Sequence, residues 1–443
     1  MLVTCTATSL AAAEPSPSRP GFFVSPSGND RNAGTLEAPF LTLAQAQRAM
    51  KNSATKVTYI EKGTYRLAST LRLSADDSGE TWQYYPPHGV NSAVLDGEGS
   101  VDLIEITGGS NITIDGLKLQ HFPAYGITVR NAGHVTVENC DVGYNMVTSW
   151  QSAGIYFFGN VPNSLIANNY VHDVGSQGIA LFDNWSGAGG TGNIDGTVIR
   201  NNVVLRAVQR MSDGGAIYME EHGGNTTSHV TIHNNFVRDY GAPGVSGQAG
   251  IYLDQGSNNV TITGNVVGPA ARGSVGTGNA GAFAFQDSTG FNNVFKGNLV
   301  DLGDSGRTWI VDFWYETSSG PQHPTHNNVF AGNIILSGFT GTQKTNFTGV
   351  RGVSYFQHPR YPTPPIIRDN VYFNYAGGQI HSDGNITGES HPIVQDPQIK
   401  GWLYEIAHGS PVFGSPVNFT PIGGGWGPPG FVIPQGTPPS SPH

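Results

Sequence analysis

Short runs in which apolar and polar residues alternate recur along most of the chain, and one phrase recurs with them. It reads apolar or β-branched, any residue, Asn or Gly, Asn, apolar, Val. It appears as VTVENCDV (135–142), LIANNYV (165–171), VIRNNVV (198–204), VTIHNNFV (230–237), VTITGNVV (260–267), VFKGNLV (294–300) and VFAGNII (329–335). IDGLKL (114–119) opens the series in weaker form and IIRDNVY (366–372) closes it. The last Asn of each phrase, or its equivalent, falls at 140, 169, 202, 235, 265, 298, 333 and 370, a repeat of roughly 30 residues. A second phrase falls between these, a Gly followed by an alternating strand: GITV (126–129), GIYFF (154–158), GIALFD (178–183), GAIYME (215–220), GIYLDQ (250–255) and GAFAFQD (281–287). WIVDFW (309–314) and GVSYFQ (352–357) continue it.

Each repeat therefore holds two or more short strands joined by Gly, Asn and Asp turns. Only TLAQAQRAMKN (42–52) reads as a helix, with Leu43, Ala46 and Ala49 on one stripe, and it suits a short cap. Unequal strands at this spacing predict an all-β fold, a single-stranded right-handed parallel β-helix in which each coil stacks on its neighbours. Propellers need about 40–45 residues per blade, and leucine-rich repeats need their own Leu spacing. The repeated Asn is expected at a bend in each coil, where its side chain can tolerate a left-handed backbone and bond from coil to coil.

The expected organisation is a signal remnant or disordered leader over 1–21, an N-terminal cap with the first coils over 22–95, the β-helix over 96–375, a C-terminal cap over 376–426 and a Pro-rich tail without regular structure over 427–443. The expected β-helix has roughly 8–10 coils. Residues 2–13, LVTCTATSLAAA, read as the second half of a signal peptide, which predicts a secreted or periplasmic protein. The segment is too short to span a bilayer, and no membrane partner is expected. Charged residues are only 12% and the net charge is −10, which argues against a nucleic-acid partner. With Cys5 in the leader, Cys140 stands alone and no disulfide is expected.

Stacking the second phrase suggests where chemistry sits. With Ile155, Ile179, Ile217, Ile251 and Phe283 aligned, the residues three further on are Phe158, Phe182, Glu220, Asp254 and Gln286, and the next are Gly159, Asp183, Glu221, Gln255 and Asp287. Polar residues thus replace aromatic ones in the middle coils, and binding is expected on the outer face near 210–315. Adjacent strands lie about 4.8 Å apart, so Glu220 and Asp254 are expected as neighbours, and crowded like charges raise one carboxyl pKa. Asp213 stands at the Gly-Gly turn that enters one of these strands, where the glycines would let a substrate approach.

The opening FFVSPSGNDRNAGTLEAPFLTLAQAQRAM (22–50) resembles the N-terminal cap of bacterial right-handed β-helix carbohydrate-active proteins. DGGAIY (213–218), GIYLD (250–254) and the ending DPQIKGW…GSPVNFTPI (396–422) resemble the same group, most closely its glycoside hydrolases of the fucosidase and xylanase type. The resemblance implies a polysaccharide or oligosaccharide substrate and hydrolysis by paired carboxylates. Asp213 and Asp254, with Glu220 or Glu221 beside them, are the catalytic candidates. His222, Tyr218, Asp287, Gln286, Trp309, Trp314 and Asp183 are the substrate-binding candidates; Tyr252, matching Tyr218 one repeat on, reads as part of an aromatic stack. No cofactor is required by this reading. The alternative is a lyase or epimerase acting on uronic acids, with Glu220, Asp254 and Gln286 holding Ca²⁺ and Arg210, Lys296 or Arg307 as the basic group. A non-catalytic carbohydrate-binding β-helix is the third reading.

Overall fold

The structure is a computed structural model and describes residues 19–86, 92–145, 152–183, 192–221, 228–244, 247–271, 282–304, 308–314, 326–338, 351–355, 365–377, 389–415 and 417–435. Three long sheets carry the chain, with 13, 10 and 12 strands, and every pairing within them is parallel, each strand lying beside those of the neighbouring coils. One turn of the solenoid is typified by Gly214–Glu220 in the ten-stranded sheet, Val230–His233 in the thirteen-stranded sheet and Phe236–Arg238 in the twelve-stranded sheet. The chain is a right-handed parallel β-helix, as its repeat predicts. Setting aside Leu71–Leu73, the ten-stranded sheet supplies nine coils within the expected 95–375.

The core is a set of stacked columns. Ile155, Ile179, Ile217 and Ile251 stand in register one coil above another, and all are fully buried. Each such side chain removed from water contributes about 1.5–3 kcal/mol before entropy is set against it. The column continues through Phe285 rather than Phe283, so the expected alignment slips by two residues at this coil.

The Asn positions form one continuous ladder. The side-chain amide of Asn169 donates to Oδ1 of Asn202 at 2.9 Å, and the same bond joins Asn202 to Asn235, Asn235 to Asn265, Asn265 to Asn298, Asn298 to Asn333 and Asn333 to Asn370. Each Oδ1 also accepts the backbone N–H of the previous rung. Cys140 starts the ladder through its backbone N–H to Asn169, and Glu389 ends it by accepting from Asn370. The ladder Asn does not itself adopt the left-handed backbone. The residue before it does: Asn168, Asn201, Asn234, Gly264, Gly297, Gly332 and Asp369 all have positive φ. This corrects the expected role and explains the Asn-Asn and Gly-Asn pairs in the phrase.

At the N-terminal end, the helix Leu43–Lys51 forms where expected, with Thr42 as its N-cap accepting from the Gln45 N–H. Leu43, Ala46 and Met50 close that end of the core. The C-terminal segment behaves differently from an end cap. It folds back along the outside of the twelve-stranded sheet, where Tyr404 bonds Asp301, Gly424 accepts from Asn234, the Gly427 N–H donates to Asn201 and Phe431 lies on Tyr170 at 4.5 Å. The residues it covers are apolar and face outward: Val203, Phe236, Val266, Leu299 and Ile334. Residues 427–435 have no strand or helix, and Ile433 is buried in this contact. Among the described residues, no helix is long and apolar enough to cross a membrane.

Candidate active site

The ten-stranded sheet turns one face outward, and its columns carry the chemistry. Arg130 pairs in register with Phe158, Phe158 with Phe182, Phe182 with Glu220, and Glu220 with Asp254. Beside this column run Tyr156, Ala180, Tyr218 and Tyr252. Tyr125, Tyr156, Phe182, Tyr218 and Tyr252 form a ladder of rings with centroids 5.1–5.2 Å apart. A cleft of about 220 Å³ lies along this face, lined by Arg130, Gln177, Asp213, Tyr218, Glu220 and Asp254 among others.

Three of the four predicted carboxylates meet here. Glu220 and Asp254 occupy the same register position on adjacent strands. The Tyr218 hydroxyl sits between them, 2.6 Å from Asp254 Oδ2 and 3.1 Å from Glu220 Oε2. Asp213 takes the hydroxyl of Tyr252 at 3.1 Å. Burial, reinforced by the charges of Asp213 and Glu220, pushes the Asp254 carboxyl up to about 7, against the lowering effect of the Tyr218 bond. Tyr218 and Tyr252 are pushed well above the usual phenol range, first by burial and then by these carboxylates, so both stay protonated donors.

Asp213 holds φ at 60° at the turn into its strand. Gly215, which follows it, has no room for a side chain: a Cβ there would lie 2.7 Å from the Ile217 carbonyl and 2.9 Å from Tyr252 Cβ. Gly215 thus lets Tyr252 sit close enough to reach Asp213.

The fourth carboxylate points the other way. Glu221 is fully buried, accepts the Ser228 hydroxyl at 2.6 Å and the Asn258 amide at 3.0 Å, and is pushed up to about 8 chiefly by burial. Asp183 is also buried, and its charge is among those that raise Glu221. Asp287 pairs with the core residue Leu253, is 1% exposed, and bonds the Gly290 N–H and the Asn293 amide. These three side chains lie within the coils and not on the cleft, because a one-residue step along a strand reverses the face. Gln286 stands beside Tyr252 on the outer face rather than beside Asp254. Lys296 lies in the strand Val294–Lys296 of the thirteen-stranded sheet, on another face. Trp309 and Trp314 belong to the strand Thr308–Trp314, but their side chains lie outside the described residues, as do His222 and Arg307. Arg210 does not line the cleft.

Sequence reasoning missed the near end of the cleft. Arg130 was one step beyond GITV (126–129), three residues after Ile127, and so in the same column as Phe158, Phe182, Glu220 and Asp254. Extending that column by one coil finds it. Gln177 carries no such signal, because it lies before its phrase begins.

Residues 102–390 match the family described as right handed beta helix region, and the chain belongs to that family. Among curated proteins it is 26% identical over 370 residues to the uncharacterized protein YwoF of Bacillus subtilis (strain 168), covering 71% of this chain and 74% of that one. Among solved structures it is similar to a glycoside hydrolase, with a TM-score of 0.53, 10% identity and coverage of 83% of this chain and 98% of that one. It is also similar to a variant of a PL6 family alginate lyase, with a TM-score of 0.51, 12% identity and coverage of 86% and 57%. At such identities the structural likeness speaks to the fold.

Proposed function

We propose that this chain is a polysaccharide-active enzyme, a glycoside hydrolase in which Asp254 and Glu220 are the paired carboxylates. The observation that carries the reading is the Asp254 carboxyl, raised to about 7 by burial and by two neighbouring acids inside an open cleft. Such a group can give up and take back a proton near neutral pH, which is what the general acid of glycosidic cleavage must do.

The two groups stand on neighbouring strands about 4.8 Å apart at the backbone, a spacing that suits the double-displacement route. Asp254 gives its proton to the glycosidic oxygen as the bond from that oxygen to the anomeric carbon breaks. Glu220 bonds to the anomeric carbon. Water then attacks that carbon, loses its proton to Asp254 and releases Glu220. Asp213, held by Tyr252, keeps negative charge beside Asp254 and so helps it retain its proton.

The carboxylates fit a calcium site poorly. Calcium takes six to eight oxygen donors, and Gln286, expected to complete the set, stands beside Tyr252 rather than beside Asp254. Among the described residues, no group of three or more His, Cys, Asp or Glu is spaced to hold a metal ion. Export, expected from residues 2–13, belongs to the same reading, since polymer substrates lie outside the cell.

The test is a polysaccharide panel with D254N and E220Q, read by reducing ends and by the ultraviolet absorbance of unsaturated uronides. Reducing ends alone are expected. Each variant should lose at least about 100-fold in rate while staying folded. Reducing ends with unsaturated product would make the enzyme a lyase. Binding without any product would make it a carbohydrate-binding protein, and full turnover by both folded variants would remove these residues from the chemistry.

A further inference from the structure

The cleft is chemically different at its two ends. Glu220 and Asp254 stand at one end, and Arg130 stands three strands away from Glu220 in the same column, about 14 Å along the sheet. Its guanidinium lies 5.7 Å from the ring centres of Tyr125 and Tyr156 and 5.4 Å from that of Phe158. Its side chain bonds that of Tyr125, and among the described residues no carboxylate forms an ion pair with it, although acids occupy the other end of the same cleft. A guanidinium held against three rings is fixed in direction and partly stripped of water, and its planar fork matches a two-oxygen anion.

A second observation lies between the two ends. Gln177 lines the cleft, is 1% exposed, and its side-chain carbonyl Oε1 has no hydrogen-bond partner among the described residues. Buried acceptors are ordinarily satisfied, and leaving one unmet costs about 1–3 kcal/mol. A sugar hydroxyl is the kind of donor that would satisfy this one. Seen along its length, the cleft offers a cation, an unmet acceptor flanked by rings, and then the acids.

We propose that Arg130 and Gln177 form a remote subsite that holds an anionic substituent of the sugar chain, a uronate carboxylate or a sulfate ester, at a sugar two or three units from the bond broken at Glu220 and Asp254. The proposal rests on the reading of the cleft as the sugar-binding site. Arg130 pairs with the anion, and Gln177 accepts a hydroxyl from a sugar in between. The substrate is then an acidic or mixed-charge polymer, admitted by a protein whose own net charge is −10 because the positive group is confined to this end of the cleft.

The experiment is equilibrium binding to the D254N protein, which turnover does not disturb. The probes are a polyuronate, its carboxyl-reduced counterpart, a sulfated glycan and its desulfated counterpart. Wild-type Arg130 should bind one of the charged forms about tenfold or more tighter than its neutral counterpart. R130Q should abolish that preference and R130K should keep part of it. The neutral chains serve as the internal control, because a merely structural role for Arg130 would weaken charged and neutral chains alike. Q177L should weaken charged and neutral chains equally, since it removes an acceptor and no charge. Equal binding of charged and neutral chains by the unaltered Arg130 protein overturns the subsite and leaves the sugar-binding reading intact. So does a preference that survives R130Q. If no chain binds, the reading of the cleft fails with it.

Discussion

Tyr218 is the residue through which the two principal carboxylates are coupled. Its hydroxyl lies within bonding reach of both Asp254 and Glu220, and its single proton can serve one of them at a time. That bond lowers the Asp254 carboxyl, opposing burial. Removing the hydroxyl with Y218F should therefore raise the Asp254 pKa further. Activity is expected to fall as pH rises through about 7 in the unaltered enzyme, because Asp254 loses its proton there. In Y218F that limb should move to higher pH while the rate drops about tenfold or more, with the ring stack and folding preserved. A pH–rate profile whose limb stays in place or moves to lower pH would refute the coupling. Phenol and acid were individually visible in the sequence, since Tyr218, Glu220 and Asp254 all lie in the recurring strand phrase. Their contact was not, because it depends on side-chain directions that a one-dimensional alignment does not carry.

At the scale of the element, the strand decides which acids can act. Glu220 and Glu221 are adjacent in sequence and opposite in fate, one on the cleft and the other bonded to Ser228 and Asn258 within the coil. Alternation makes this a two-way choice, and the neighbouring core residue Met219 would have settled it from sequence alone. Asp287 is inward by the same alternation, and the two-residue slip at its strand changes only partners, placing Asp287 beside Leu253 and Gln286 beside Tyr252. The Asn ladder was legible because its period is rigid and each rung must meet the next. Asn235 takes part in two rungs: its side chain accepts from the Asn202 N–H and amide and donates to the Ile199 carbonyl and to Asn265 Oδ1. N235A should cost about 2–4 kcal/mol, since it leaves the buried Asn202 N–H and the Ile199 carbonyl without this partner. Urea unfolding measures this, and a loss under about 1 kcal/mol would mean that the ladder contributes little beyond the core beneath it.

Across the whole molecule, several buried carboxyls hold protons that an unfolded chain would release. Burial raises Asp254, Asp287 and Glu80 to about 7 and Glu221 to about 8, from ordinary values of 3.8 and 4.5. Groups raised in the folded state contribute stability that is complete below the unfolded pKa and is lost as pH rises through the folded one. Asp173 and Asp96 are shifted down, by Arg206 and His172 around Asp173 and by Gln120 and His121 around Asp96, so their contribution is lost on acidification below about 4. Thermal stability is therefore expected to peak near pH 4–5 and to decline steadily to about pH 8. A melting temperature that rises between pH 5 and 8 would show that these carboxyls ionise with little penalty.

The C-terminal segment changes what kind of solenoid this is. Coils that touch only their neighbours unfold piecemeal, because nothing links the first to the last. Here residues from Tyr404 to Ile433 run back over the outer face of the twelve-stranded sheet, bonding coils as far apart as Asp301 and Asn201 and reaching Tyr170. That return path converts nearest-neighbour cooperativity into long-range cooperativity, as a lacing does for a stack of rings. It also sets a timetable. A nascent chain completes the coils from Tyr170 to Tyr372 before the residues that cover them have left the ribosome. The apolar flank of Val203, Phe236 and Leu299 thus stays bare until residues 404–433 have been made and fold back over it.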